Sequence, residues 1–93
     1  MERKIVRISA AITNTRGLHA RASAKFVETA ARFQSEITVT KGETTVSGRS
    51  IMGLMMLAAS KGSVIELVAE GADANEAIEA LTALIAGRFQ EDA

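Results

Sequence analysis

The sequence predicts an α+β domain in which helices cover one face of a mainly antiparallel four-stranded sheet and the other face stays open. Four short segments alternate apolar and polar residues as half-buried strands do, and two longer segments carry apolar residues at helical spacing. The 93 residues, 47% of them hydrophobic, suffice for one core, so we expect a single domain over residues 1–93.

The first two elements follow from a change in periodicity. Residues 4–10 alternate, with Val6, Ile8 and Ala10 on one face, which predicts a strand. Residues 20–33 are rich in Ala, Glu, Lys and Arg and place apolar side chains three and four apart, which predicts an amphipathic helix.

The middle of the chain predicts a hairpin followed by a short helix. Residues 36–40 and 43–47 are alternating β-branched runs joined through a Lys-Gly turn. Residues 50–57 are apolar and rich in Met with little β-branching, and Ser50 is a suitable N-cap for a short helix.

The last two elements complete the order βαββαβα. Residues 63–70 predict a strand with Ile65 and Leu67 on its apolar face, and residues 74–89 predict a helix whose apolar stripe runs as far as Phe89. Stacking the helices on one side of the strands gives an open-faced two-layer sandwich.

The composition excludes several classes of protein. Eleven Lys and Arg balance eleven Asp and Glu, so no basic stripe for nucleic acid is expected. There is no Cys and only one His, so we expect no disulfide, no metal and no other cofactor. No apolar stretch approaches the roughly 20 residues of a membrane span and no signal peptide is evident, so a cytoplasmic location is expected.

Residues 17–21, Gly-Leu-His-Ala-Arg, form the segment with the clearest chemical potential. His19 lies where a loop passes into a helix, and the unpaired N–H groups and dipole of a helix start favour an anion and a neutral, nucleophilic imidazole. Arg21 can donate charge-assisted hydrogen bonds to phosphate oxygens. A surface or capping histidine is the alternative, and neither a P-loop nor an acid–base partner for His19 is evident, which argues against a free-standing enzyme.

Two further segments give the chain a family resemblance. Residues 12–14 read Ile-Thr-Asn and residues 48–55 read Gly-Arg-Ser-Ile-Met-Gly-Leu-Met. Together with residues 17–21 they resemble HPr, the histidine-containing phosphocarrier family of the bacterial phosphoenolpyruvate-dependent phosphotransferase system. The resemblance extends over residues 4–89 and includes the family's βαββαβα order.

The resemblance implies a role for each matching residue. His19 would accept a phosphoryl group on Nδ1 from enzyme I and pass it to a IIA domain, in sugar uptake or in the nitrogen-related (NPr) branch. Arg21 would contact the phosphate, and Ser50 would be modified by HPr kinase/phosphorylase. Partners would dock on a surface that includes Arg16, Leu18, Ile51, Met52 and Met55.

One position departs from the family pattern. Ala22 stands where the family usually has Pro after the arginine. Proline in a first helical turn pre-sets φ, so alanine leaves the helix start, and with it the phosphate site, less preorganised.

Two other functions compete with phosphate transfer. A regulatory module could dock through Met52 and its neighbours under control of Ser50, and a small-ligand sensor has a similar size and mixture of elements. A carrier would need His19 exposed on a flat surface, and presenting one face to successive partners favours a monomer.

Overall fold

The computed structural model describes residues 3–91, which form four strands, three helices and a short terminal turn. The elements are β1 (Ile5–Ala11), α1 (Ala20–Ala30), β2 (Glu36–Lys41), β3 (Thr44–Ser47), α2 (Ile51–Met56), β4 (Val64–Glu70), α3 (Ala74–Ala86) and the C-terminal turn (Arg88–Gln90). The predicted order of elements is confirmed.

The last strand of the chain lies inside the sheet. The spatial order is β1-β4-β2-β3, and each neighbouring pair is antiparallel. β4 pairs with β1 along its whole length, from Ile5 opposite Glu70 to Ala11 opposite Val64. The predicted fold class, an open-faced α+β sandwich, is therefore confirmed.

The core fills the space between the sheet and the helices. Ile65 and Leu67 are completely buried, as the alternation of β4 predicts, and Phe26 of α1 and Leu81 of α3 pack in the same cluster. Ile8 of β1 lies on the same face of the sheet as Leu67 but remains 39% exposed, because β1 is an edge strand and the helices cover it less completely.

The first helix ends at Ala30, three residues before the predicted end. Asp73 holds the chain beyond it, since its carboxylate accepts the backbone N–H groups of Gln34 (2.8 Å) and Ser35 (2.9 Å) and the Ser35 hydroxyl (2.5 Å). The guanidinium of Arg49 also donates to the carbonyl oxygen of Phe33 at 2.8 Å. These contacts stabilise the turn that leads from the end of α1 into β2.

The helix predicted to reach Phe89 ends at Ala86 instead. The C-terminal turn follows Gly87, and its three residues have φ values of 56°, 54° and 65°, in the left-handed region. That conformation costs roughly 1–2 kcal/mol per residue in non-glycine residues. Two interactions offset this cost: the Phe89 side chain is fully buried in the core, and the Lys25 ammonium donates a hydrogen bond to the Phe89 carbonyl oxygen at 2.7 Å.

The Asp73 contacts predict a pH-dependent contribution to stability. Hydrogen bonds, first from the Ser35 hydroxyl and then from the Gln34 N–H, lower the pKa of Asp73. A carboxylate whose folded pKa is lowered stabilises the fold above its unfolded pKa, and this contribution disappears as the pH falls through the folded value. We expect Asp73→Asn to lower Tm at pH 7, and the deficit to shrink below about pH 4. Thermal unfolding from pH 7 to pH 2.5 measures this.

The exposed carboxylate of Glu79 supplies the control. Glu79→Gln removes the same charge without touching the turn after α1, so its Tm should follow that of the parent protein. A deficit in the Asp73→Asn protein that stays constant down to pH 2.5 would contradict the electrostatic explanation.

Candidate functional site

Several ends of elements meet around residues 12–19, which we name the histidine loop. Thr13 Oγ1 donates to the carbonyl oxygen of Ile85 at the end of α3, at 2.9 Å. The N–H of Leu18 donates to the carbonyl oxygen of Ala59, just after α2, also at 2.9 Å. The loop is therefore fixed to both neighbouring helices before it enters α1.

Gly17 allows the loop to approach the segment after α2. Its φ is +66°, and a Cβ atom there would lie 2.4 Å from the carbonyl oxygen of Ala59 and 2.9 Å from Cα of Ser60. Only glycine fits this close approach. The next two residues then bring His19 to the N-cap position of α1 in an extended conformation.

The start of α1 offers unpaired donors beside His19. The His19 side chain makes no capping bond, and the N–H groups of Ala20, Arg21 and Ala22 have no acceptor within residues 3–91. Such groups, together with the helix dipole, favour an anion. The side chains of Arg16 and Arg21, which flank His19 in the sequence, are both exposed. α1 begins at Ala20 although Ala22, a fully buried residue, replaces the family's proline.

The imidazole of His19 has a carboxylate partner that the sequence did not reveal. Nε2 of His19 lies 2.5 Å from Oε2 of Glu91, and Nδ2 of Asn14 donates to Oε1 of the same carboxylate at 3.0 Å. The side chains of His19 and Glu91 are 17% and 12% exposed. His19 is thus more enclosed than a carrier was expected to be, because the C-terminal turn places Glu91 against one edge of the ring.

The protonation pattern of this pair follows from the acidity of Glu91. Burial raises the pKa of Glu91, but the hydrogen bonds from Asn14 and His19, the positive charge of the His19 ring when it is protonated, and the positive charge of Arg16 outweigh it, so the pKa is lowered. An ionised carboxylate only accepts hydrogen bonds, so Nε2 of His19 carries the proton. Nδ1 has no hydrogen-bond partner among the described residues.

Sequence reasoning could have found Asn14 but not Glu91. Asn14 begins a turn signal that ends at Gly17, and its Nδ2 indeed donates to the Gly17 carbonyl oxygen at 2.9 Å. Its Oδ1 is buried without a partner in residues 3–91. Glu91 lies 72 residues from His19, beyond a helix predicted to continue to Phe89, so no local pattern connects the two.

The predicted N-cap and apolar surface of α2 are both present. Oγ of Ser50 accepts the N–H of Gly53 at 2.9 Å. Leu54 and Leu57 point into the core. Four apolar side chains stay 41–73% exposed, and we name them the methionine patch: Ile51, Met52, Met55 and Met56.

Leu18 departs from its expected place on the docking surface. It is only 5% exposed and belongs to the core, so it supports the loop and offers a partner little of its side chain. It lines a shallow depression of about 250 Å³ together with Arg16, His19, Ala58, Ala59 and Ser60. Since Ala58 and Ala59 directly follow α2, the depression connects His19 to the end of the helix that carries the methionine patch.

The described part of the chain has neither a candidate metal site nor a candidate membrane span. Residues 3–91 contain no cluster of three or more His, Asp or Glu side chains that could hold a metal ion. Within the same range, no helix has both the length and the apolar character needed to cross a membrane.

The fold and site define a small open-faced α+β protein with one histidine at a helix start whose unpaired N–H groups favour an anion. Residues 6–87 match the family model described as "PTS HPr component phosphorylation site". The chain belongs to the HPr family, the phosphocarrier proteins of the phosphotransferase system.

Individual relatives agree with this assignment. The phosphocarrier protein HPr of Neisseria meningitidis is 62% identical over 80 residues, which cover 86% of this chain and 90% of the relative. The phosphocarrier protein NPr of Shewanella violacea is 42% identical over 80 residues, with coverage of 86% and 88%. The crystal structure of HPr-C-His from Thermoanaerobacter tengcongensis superposes with a TM-score of 0.90 at 46% identity and covers 95% of this chain and 99% of that one.

The close approach at Gly17 predicts the result of a matched pair of alanine substitutions. Gly42 has nearly the same φ, +60°, but nothing lies within 4 Å of its added Cβ atom. Gly42→Ala should therefore cost only the left-handed strain of roughly 1–2 kcal/mol. Gly17→Ala adds a clash with the Ala59 carbonyl and should cost more, while also shifting the NMR signals of the His19 ring. Urea unfolding measures both costs, and equal losses would contradict the packing argument.

Proposed function

We propose that this phosphocarrier takes a phosphoryl group on Nδ1 of His19 from phosphorylated enzyme I and delivers it to a IIA domain. The observation that carries the proposal is the position of the His19 imidazole, whose ring has one nitrogen engaged by Glu91 and lies beside three unpaired N–H groups of α1. The match to a family of phosphocarriers supports the same chemistry.

The proposed transfer uses the proton arrangement of the ring. Nδ1 attacks phosphorus with its lone pair, the bond from phosphorus to the donor side chain breaks, and the proton on Nε2 stays in place. The phosphoryl oxygens then meet the N–H groups of Ala20 and its neighbours at the helix start, where the dipole favours their negative charge. Arg21, in the first turn of α1, adds charge-assisted hydrogen bonds through its exposed side chain. Delivery to the acceptor reverses these bond changes.

The docking surface that we propose for the partners is the methionine patch with Arg16 beside His19. Methionine side chains are flexible and polarizable and therefore adapt to several partner surfaces in turn. The patch contributes contact area and the histidine contributes chemistry, so the carrier needs no substrate pocket of its own. Relatives of this chain carry names from both branches, HPr and NPr, and the proposal covers IIA acceptors of either kind.

Ser50 is the residue at which we propose regulation by HPr kinase/phosphorylase. Its hydroxyl caps α2 and borders Ile51, the first residue of the patch. A phosphate here would sit at a helix N-terminus, where negative charge is tolerated, so the helix need not unfold. The added charge would instead lie next to an apolar docking surface and weaken partner binding.

The first test follows the phosphoryl group itself. Incubation with phosphoenolpyruvate and enzyme I should give an acid-labile phosphate that mass spectrometry places on His19, and His19→Ala should abolish it.

Arg21→Ala should retain the label but slow its formation about tenfold, the effect of losing a charged hydrogen bond. Arg32→Ala removes an equal charge just beyond the C-terminal end of α1, far from His19 along the helix, and should leave the rate of labelling unchanged. Persistent labelling of the His19→Ala protein would exclude the assignment, and no label on the parent protein would favour a regulatory binding module.

The regulatory proposal is tested with two capping residues that differ in charge. Asp and Asn both replace Ser as N-caps with little loss of stability, but only Asp adds a negative charge beside the patch. Ser50→Asp should raise the KM of enzyme I for this protein several-fold, whereas Ser50→Asn should leave it near the parent value. Equal KM values for the two variants, measured with both folded, would contradict an electrostatic effect on docking.

A further inference from the structure

We propose that Glu91 is a positioning residue that keeps the proton of His19 on Nε2 and thereby reserves Nδ1 for the phosphoryl group. The inference deepens the proposed function of His19 and rests on it for its kinetic consequence. The proton position itself is a property of the unphosphorylated protein and can be measured independently.

The geometry around Glu91 fixes each oxygen of its carboxylate. Oε1 accepts from Nδ2 of Asn14 at 3.0 Å, and Oε2 faces Nε2 of His19 at 2.5 Å. The Asn14 amide is itself oriented, because its Nδ2 also donates to the carbonyl oxygen of Gly17. Glu91 is therefore held between the start and the end of the histidine loop, with one oxygen left for the imidazole alone.

The C-terminal turn places Glu91 beside His19 through a left-handed backbone conformation, which costs conformational free energy. The C-terminal turn keeps three successive non-glycine residues at positive φ, with Phe89 in the core and its carbonyl oxygen bonded to Lys25. Continuation of α3 would instead carry residue 91 away along the helix axis. A strained turn of this kind persists only where surrounding contacts hold it in place. Here it brings the Glu91 carboxylate within hydrogen-bonding distance of His19.

A carboxylate at this nitrogen acts at two points of the transfer. Before transfer, the neutral imidazole must hold its proton on Nε2, because a proton on Nδ1 would occupy the attacking lone pair. During transfer, the N–P bond forms at Nδ1 while the Nε2 proton remains, so the ring becomes a cation. The negative charge of Glu91 stabilises that cation on the side away from the incoming group, as a carboxylate does for an imidazolium in enzymes that use a histidine base.

Substitution by glutamine gives a sharp test of the proton position. Asn14 donates to the oxygen on its side of residue 91, so Glu91→Gln would turn its amide oxygen toward Asn14 and its NH₂ group toward His19. That NH₂ group donates, which requires a lone pair on Nε2 and drives the ring proton to Nδ1. Glu91→Ala removes the hydrogen-bond acceptor at Nε2 without putting a donor in its place. Glu79→Gln is the charge-matched control on an exposed part of α3.

The readout is the pair of ring ¹⁵N signals of His19 in the full chain at a pH where the ring is neutral. The parent protein and Glu79→Gln should show the proton on Nε2, Glu91→Gln should show it on Nδ1, and Glu91→Ala should show a mixture. Retention of the Nε2–H pattern in both Glu91 variants would overturn the inference, whether or not the protein accepts phosphate.

Single-turnover transfer from phosphorylated enzyme I supplies the kinetic readout. Glu91→Gln should lower the maximal transfer rate at least about tenfold, as expected for loss of a charged hydrogen bond, with Glu91→Ala between it and the parent. KM should change little, because the methionine patch is intact. Equal maximal rates for Glu91→Gln and Glu79→Gln would overturn the role of Glu91, whereas failure of the parent protein to accept phosphate at all would overturn the proposed function instead.

Discussion

The antiparallel pairing of β4 with both β1 and β2 is the constraint on which the site depends. Because β4 runs opposite to β1 along its full length, the last residue of β1 and the first residue of β4 lie side by side at the same end of the strands. α3 returns across the sheet to that end, where the carbonyl oxygen of Ile85 accepts a hydrogen bond from Thr13 of the histidine loop. Three segments thus meet where α1 begins: the histidine loop, the segment after α2, and the end of α3 with the C-terminal turn. The only histidine of the sequence lies among them.

Two separate electrostatic devices act on that histidine from different sides. The start of α1 favours negative charge, which suits a phosphoryl group but not a positively charged ring. The carboxylate of Glu91 favours the opposite charge at Nε2, 2.5 Å away. Phosphoryl transfer to an imidazole creates both charges together, an anionic phosphoryl group and a cationic ring. The site is therefore complementary to the charge distribution that the proposed phosphoryl transfer would create, more than to that of the resting imidazole.

The sequence predicted the elements well because their signals are local. Alternation in β4 and helical spacing in α1 each arise within one segment, and Ser50 needs only its own helix to act as a cap. The errors occurred where distant contacts decide: Asp73 shapes the end of α1, and buried Phe89 ends α3 in a left-handed turn. The same reason explains why the sequence indicated His19 but not Glu91. His19 has a local signal, its position between a loop and a helix, whereas Glu91 comes near His19 only in the folded structure.

The long separation between the members of the site has a consequence for the chemistry of the chain as a whole. Asn14 and His19 meet Glu91 across 77 and 72 residues, so closing those loops costs conformational entropy that only the complete sandwich offsets. A short peptide containing residues 14–23 would retain the histidine and arginine but would lack the carboxylate and the ordered helix start. The reactivity proposed for the imidazole would therefore depend on the native state and would be lost cooperatively with it, so phosphorylation of His19 would report global unfolding.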